Sequence, residues 1–330
     1  MISPRVCSRA ILILTCKGGV HIILKRTKIT SEIEYVESSI EAAKIHCCCG
    51  IIVNYSPRIV IDTNLGKEET RELFREVKPD IAIATHFHID HSAMLAIALN
   101  SADAEVFVPA GEEEYLNDIK NYARQMGPGR DDLQPSFTQM LAAAGHTKFE
   151  GCHSYDAASD FGLRNPGMMQ IIRTPGHSPR HHSFYFPGEK ILLSGDIGLD
   201  MLGPWYGFPH CNLVEFVDSI LRLMSLDIRL VITSHNGIIS QDIQAALGRC
   251  INIIYDRETM ISGKLDKGYN QTRIIDEGII FRNSVRVPEP MRSLRHCLNT
   301  TAFEHHRRLI LDGGMLKYFP ETETILHKLR

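Results

Sequence analysis

Apolar positions along this chain come in short runs, each closed by polar or turn-forming residues. GIIVNY (50–55), RIVIDT (58–63), DIAIAT (80–85) and AEVFVP (104–109) read as strands, as do MMQIIRT (168–174), HSFYF (182–186), KILLSG (190–195) and RLVITS (229–234). Helical spacing separates them. KEETRELFREVKP reads as a helix closed by Pro79, and GEEEYLNDIKNYARQMG as a helix with an acidic first turn, followed by a further helix over DDLQPSFTQMLAAAG. Asn212 with Glu215 three residues on has the form of a capping box, and Leu213, Phe216, Val217, Ile220, Leu221 and Met224 then share one helical face.

Each half of residues 1–240 thus runs strands, helix, strand. This predicts an α/β (α+β) fold: an αββα sandwich of two mixed sheets with outer helices. Residues 1–49 are expected to add strands to a sheet edge. Past Ser240 the strand signals fade. QDIQAALGRCINIIYDRETMISGKL, QTRIIDEGII and AFEHHRRLILDGG read as helices, the last stopped by Gly313 and Gly314, with VRVPEPMR as a linker. Residues 241–330 are therefore expected to form a helical appendage.

Composition narrows the class. With 330 residues, 44% hydrophobic and 23% charged, the chain can build a large core. A net charge of −3 supplies no global basic field for nucleic acid or an anionic membrane. No apolar run reaches the roughly 20 residues of a spanning helix, and AILILTC near the start is short for a signal peptide. Nine scattered cysteines without a CxxC pair fit a reduced, cytoplasmic chain. Cys47, Cys48 and Cys49 are adjacent, so on a strand they alternate faces and cannot all reach one ion; they read as small buried hydrophobes.

Sixteen histidines are the unusual feature. His86, His88, Asp90 and His91 follow the run DIAIAT directly. On a strand His86 and His88 would share a face and could chelate one ion, while Asp90 and His91 in the following turn could serve a second. His177 follows QIIRTPG, Asp196 ends KILLSGD and His235 ends RLVITSH. Each is a metal-competent side chain at the mouth of an apolar run.

In this order THFHIDH, TPGHSPRHHSFYF, LLSGD and ITSH resemble the metallo-β-lactamase-fold hydrolase superfamily over about residues 50–240. The resemblance implies one ion on His86, His88 and His177, a second on Asp90, His91 and His235, and Asp196 between them. Asp62 is placed to orient a histidine from behind, with a plain turn aspartate at a strand end as the alternative, and the resemblance implies a structural role for His181. The chain departs from the family's habits at Asn64, where glycine is common, at Arg180, where a small residue is common, and at Ser234, where glycine usually precedes the last histidine. The helical tail resembles the three-helix, winged-helix-like appendage of some members, including a ribonuclease-like subgroup.

The implied cofactor is a pair of divalent ions, zinc first, with iron or manganese as alternatives. Such a pair would share a hydroxide that attacks a carbonyl carbon or phosphorus, with Asp90 as proton acceptor. The loop LGPWYGFPHCNL (202–213) is the expected pocket wall beside Trp205, and Tyr206 or His210 could donate to an oxyanion. The expected substrate is a small ester, thioester or lactone. Phosphodiester or RNA hydrolysis, persulfide oxidation at a single iron, and a non-catalytic metal-bound sensor are the alternatives. Arg282, Arg286, Arg292, Arg295, Arg307 and Arg308 form the one basic stretch; nucleic acid, a solvated helix face or a homodimer contact would each account for it. His305 and His306 read as helix surface.

Overall fold

The computed structural model describes residues 9–15, 21–39, 47–101, 103–126, 138, 142, 151–199, 203–281 and 291–329. Eight strands form one sheet in sequence order: β1 (Arg9–Thr15), β2 (His21–Lys28), β3 (Ile33–Glu37), β4 (Gly50–Val53), β5 (Ile59–Ile61), β6 (Ile81–Ile83), β7 (Glu105–Pro109) and β8 (His153–Tyr155). Neighbours are antiparallel up to β5 and parallel from β5 to β8. The N-terminal segment thus extends the sheet edge, as expected. The second sheet has five strands: β9 (Gln170–Arg173), β10 (His182–Phe186), β11 (Ile191–Leu193), β12 (Leu230–Ile232) and β13 (Ile238–Ile239). They lie in the order β13-β12-β11-β10-β9, with β11 and β12 parallel.

Strand alternation explains why both faces of each sheet are apolar. Ile51, Val53, Ile59, Ile61, Ile81 and Ile83 join Phe184, Phe186, Ile191, Leu193, Leu230 and Ile232 in one core between the sheets. The intervening Ile52, Val60, Ala82, Leu192 and Val231 belong to the other core, shared with the helices. A strand buried on both faces reads as a continuous apolar run, and these do. The result is the predicted αββα sandwich.

The helix Lys67–Val77 crosses between the parallel strands β5 and β6, and Ile89–Ser92 and Leu95–Ser101 cross from β6 to β7. In the second half the helix Leu213–Met224 crosses from β11 to β12; Asn212 caps it, its Oδ1 accepting from the backbone N–H groups of Val214 and Glu215. The predicted helix over GEEEYLNDIKNYARQMG is two, Glu113–Asn117 and Ile119–Met126. Asp118 between them is extended, and its carboxylate accepts from the Lys120 N–H, which restarts the helix. The helix expected over DDLQPSFTQMLAAAG falls outside the described residues apart from 138 and 142, and most of VRVPEPMR does too. Beyond β13 the described residues hold helices alone: Ile243–Asp266, Gln271–Glu277, Met291–Leu311, Met315–Tyr318 and Thr322–Leu329. Gly313 and Gly314, at φ 105° and 83°, follow the third of these. Among the described residues no helix is long and apolar enough to cross a membrane.

Two features of this scaffold are directly testable. A Cβ on Gly50 would lie 2.1 Å from the Asp62 carbonyl oxygen and 2.3 Å from that of Ile61. Both are backbone atoms and cannot swing aside, so Gly50→Ala should lower stability by about 1–3 kcal/mol; an unchanged urea midpoint would refute this close approach. Glu112 is fully buried, with Oε1 3.3 Å from the Ser178 hydroxyl that donates to it. Burial pushes its pKa up from 4.5 to about 8. Between those values the native state holds a proton that the unfolded chain has released, so stability falls as pH rises through this window. Glu112→Gln should therefore gain on the native sequence between pH 5 and pH 8; a stability difference independent of pH would contradict it.

Candidate metal centre

Parallel pairing gathers the site. Strands β5 and β6 run the same way, so Asp62 and the segment Thr85–His91 emerge at one end of the first sheet. Strands β11 and β12 do the same for Asp196 and His235 in the second. Backbone bonds lock the two ends together: the His182 N–H donates to the Thr85 carbonyl at 3.0 Å, and the Cys49 N–H to the Ser234 carbonyl at 2.6 Å. Strand β6 stops at Ile83, so His86 and His88 sit in the turn after it and not on the strand itself. They nevertheless converge, with ring centroids 4.5 Å apart. Asn64, at a position where glycine was expected, has its own use: its Nδ2 donates to the Ile89 carbonyl at 3.1 Å and its Oδ1 accepts from the Gly66 N–H.

Two sets of donors result. His86, His88 and His177 form one; Asp90, His91, Asp196 and His235 form the other; within each set the ligand-capable atoms lie within 4.8 Å of one another. Asp196 faces both. Its Oδ2 is 3.5 Å from His177 Nε2 and 3.5 Å from His235 Nε2, while its Oδ1 is 3.3 Å from His91 Nε2. The division into two sets is the one expected from the sequence. The open side is marked by exposure: the side chains of Asp90 and His235 are 21% and 17% exposed, against 0% for His91 and 3% for His177.

The outer ring nitrogens are held from behind. Asp62 Oδ2 lies 3.0 Å from His91 Nδ1, which confirms its orienting position. The same carboxylate accepts from the Thr85 N–H at 2.8 Å and from the Thr85 hydroxyl at 2.7 Å. Having donated its hydrogen there, Thr85 Oγ1 accepts from His86 Nδ1 at 3.0 Å. His177 Nδ1 donates to the Trp205 carbonyl at 3.0 Å. The inner nitrogens of His86 and His177 are thereby left with their lone pairs facing inward. His86 Nε2 is buried and makes no hydrogen bond to any described residue, while His91 Nε2 and Asp196 Oδ1, also buried, face one another at 3.3 Å. Buried polar atoms normally have partners. Imidazole and carboxylate donors pointed at a common centre fit a divalent cation.

The two sets differ in charge. Burial first, and then the neighbouring imidazoles, hold His86 well below the ordinary histidine range. His88 and His177 are held down too, chiefly by burial. All three are neutral, the form that binds metal. Burial also acts against a charge on His91 and His235, but carboxylates overcome it: Asp62 chiefly for His91 and Asp196 for His235 raise both well above the usual range. Burial would raise Asp196, yet His91 and His235 hold it well below the carboxylate range. The second set thus pairs two carboxylates with two histidines that hold protons, and a cation enters it by displacing them.

The other predicted residues divide. His210 reaches the site, with Nε2 3.1 Å from His88 Nε2. Tyr206 does not. It is fully buried, and its hydroxyl is bonded to His306 Nε2 at 2.8 Å and to Arg257 at 2.9 Å, so it cannot serve as an oxyanion donor or line an open pocket. Trp205 packs edge-on against Phe281 and serves the site through its carbonyl. His306 is buried, not on the surface, and burial pushes its pKa down to about 3. His305 likewise turns inward, its Nε2 donating to the Phe208 carbonyl. His181 is structural: its Nε2 accepts from the Asp196 N–H at 2.9 Å and its Nδ1 bonds Thr174. Burial pushes the Cys47 and Cys48 thiols up to about 12 and about 11, in keeping with inert packing residues. Arg282 and Arg286 lie outside the described residues, and Arg307 pairs with Glu304. Glu112 and Thr85 were not singled out from the sequence; nothing in their local pattern distinguishes them.

Comparison with known proteins places this geometry. Residues 46–235, more than half of the chain, match the sequence model of the metallo-beta-lactamase superfamily. A metallo-beta-lactamase fold-containing protein of Sulfurisphaera tokodaii is 25% identical over 211 residues, covering 62% of this chain and 76% of its own. The acyl-coenzyme A thioesterase MBLAC2 of Homo sapiens is 28% identical over 192 residues, covering 51% of this chain and 63% of its own. Among solved structures, a beta-lactamase domain protein from Burkholderia ambifaria superposes with a TM-score of 0.63 at 14% identity, covering 88% of each chain. A metallo-beta-lactamase family protein from Thermus thermophilus gives 0.58 at 19% identity, covering 81% of this chain and 89% of its own. The chain belongs to the metallo-beta-lactamase superfamily, whose members are mostly hydrolases, and carries metal-binding residue groups in the loops that follow its strands.

Proposed function

We propose that this chain is a binuclear metal-dependent hydrolase acting on a small thioester, with carboxylic esters and lactones as the related class. The observation that carries the reading is the junction at Asp196, where one carboxylate faces a neutral three-histidine set and a carboxylate-rich set together. Two divalent ions, zinc by donor type, would supply a water activated near neutral pH and a Lewis acid for the substrate's oxygen. His86, His88 and His177 would hold one ion, Asp90, His91 and His235 the other, and Asp196 both.

The chain's own part is orientation and proton handling. The backing partners aim the imidazoles, and burial keeps those of the three-histidine set neutral. Asp90 lies on the open side, ionised, with its Oδ2 3.2 Å from His235 Nε2. From there it takes up the proton that the attacking water gives up when the acyl carbon is attacked. The thiolate of a thioester leaves without needing a strong acid, and among the described residues the site holds no lysine or arginine that would serve a phosphodiester. The choice of thioester draws support from the acyl-coenzyme A thioesterase relatives, of which this chain matches less than two thirds. A small-molecule substrate, with neither nucleic acid nor a membrane as partner, accords with the net charge of −3.

Two measurements test this. Metal analysis of the purified protein should give about two zinc equivalents per chain, and Asp196→Ala should lose at least one. Acyl-coenzyme A thioesters should be hydrolysed, and Asp90→Ala should lower kcat by about 10²-fold or more with an unchanged circular dichroism spectrum. Full activity in Asp90→Ala would rule out the proton-acceptor role. One iron per chain with oxygen uptake on a persulfide would replace hydrolysis with sulfur oxidation.

A further inference from the structure

One imidazole of the three-histidine set lacks a backing group of the usual kind. His86 is held by a hydroxyl and His177 by a carbonyl. His88 is held by another histidine. Its Nε2 lies 3.1 Å from His210 Nε2, across 122 residues of chain. His210 Nδ1 in turn lies 3.0 Å from the carbonyl of Gln125. A carbonyl can only accept, so His210 Nδ1 carries the hydrogen. A neutral imidazole with its hydrogen on Nδ1 presents a lone pair at Nε2. His88 must then donate from Nε2, which leaves the lone pair of His88 on Nδ1. That atom lies 2.9 Å from His177 Nε2, whose lone pair also faces inward because its Nδ1 donates to Trp205. Two lone pairs at this distance repel unless a cation draws both.

We propose that His210 is a positioning residue that fixes the tautomer of His88, so that Nδ1 and not Nε2 is offered to the three-histidine set. Its effect on metal binding rests on the reading of that set as a metal site; its effect on the tautomer does not. The surroundings leave His88 Nε2 no ready substitute. Besides the imidazoles of His86, His177 and His210, the described rings beside His88 are Phe87 and Phe208, with centroids 4.8 Å and 5.4 Å away, and neither can accept its hydrogen as a ring nitrogen would. The same two hold His210 in place, Phe208 stacked at 5.5 Å and Phe87 edge-on at 5.2 Å. His210 is therefore not free to swing toward a substrate as an oxyanion donor; it is wedged behind a ligand.

The test separates the tautomer from the metal. Long-range 1H–15N spectra of the metal-free native protein should show His88 with its hydrogen on Nε2 and His210 with its hydrogen on Nδ1. The opposite tautomer at His88 would overturn the proposal without any variant being made. In His210→Phe, which keeps the ring but has no acceptor, His88 should become a mixture of tautomers. Competition with a zinc chelator should then show the three-histidine site weakened about 10–100-fold. His210→Gln restores one acceptor and one donor on a flexible arm, and should recover most of that loss. A His210→Phe protein that keeps the Nε2–H tautomer and binds zinc within about twofold of the native protein would sink the idea. A native protein that takes up no divalent metal would defeat the hydrolase reading alone, and the spectra would still decide the role of His210.

Discussion

The carboxylate of Asp62 is the constraint on which the rest of the site depends. It sits just past β5 in a left-handed conformation, φ 52°, and is fully buried. It takes the Thr85 N–H and hydroxyl and the Nδ1 of His91. Because the Thr85 hydroxyl hydrogen goes to Asp62, its oxygen must accept from His86. A single carboxylate thus sets the orientation of one histidine from each donor set, and it ties the loop after β6 to the end of β5. The parallel pairing of β5 and β6 brings these loops to one end, but parallel pairing alone would leave rotamers and tautomers open. The buried charge closes that freedom.

The same logic accounts for the unlike charge of the two sets. Hydroxyl, carbonyl and imidazole partners stand behind His86, His177 and His88, so burial leaves those rings neutral. Carboxylates stand behind or beside His91 and His235, so these rings hold protons strongly when no cation is bound. A cation entering the second set displaces protons; one entering the first does not. The two positions should therefore differ in the pH dependence of their affinity, even though both are built largely from imidazole.

How much of this could be read from the sequence follows from what a sequence displays. The donors were legible because each stands at the end of an apolar run; HFHIDH and its turn separated His86 and His88 from Asp90 and His91, and the family resemblance assigned His177, Asp196 and His235. The sandwich was legible because strands buried on both faces leave uninterrupted apolar runs. The backing groups were harder. Asp62 could be suspected from its place after RIVI, but Thr85 acts through one hydroxyl and Trp205 through a carbonyl, which any residue type carries. Tyr206 misled for a related reason. An aromatic loop beside a ligand suggests a pocket wall, while its true partners, Arg257 and His306, come from helices 51 and 100 residues further along. The break at Asp118 was missed because an acidic residue is unremarkable inside a helix until its side chain caps the next one.

That loop also connects the helical appendage to the three-histidine set. On one side Trp205 gives its carbonyl to His177 and His210 gives its Nε2 to His88. On the other side Arg257 donates to the Pro204 carbonyl and the Tyr206 hydroxyl, His306 bonds that hydroxyl, and His305 donates to the Phe208 carbonyl. A buried arginine is costly to strand, so its partners are held as firmly as it is. The segment 204–210 is thus fixed from both faces. Behind the Asp90–His91 set stands Asp62 at the end of β5, and the appendage meets the loop after Asp196 through Cys250, whose thiol donates to the Gly198 carbonyl. The three-histidine set is accordingly the one whose backing groups, the Trp205 carbonyl and the His210 ring, sit on a segment held by helices that follow the sheets in the chain.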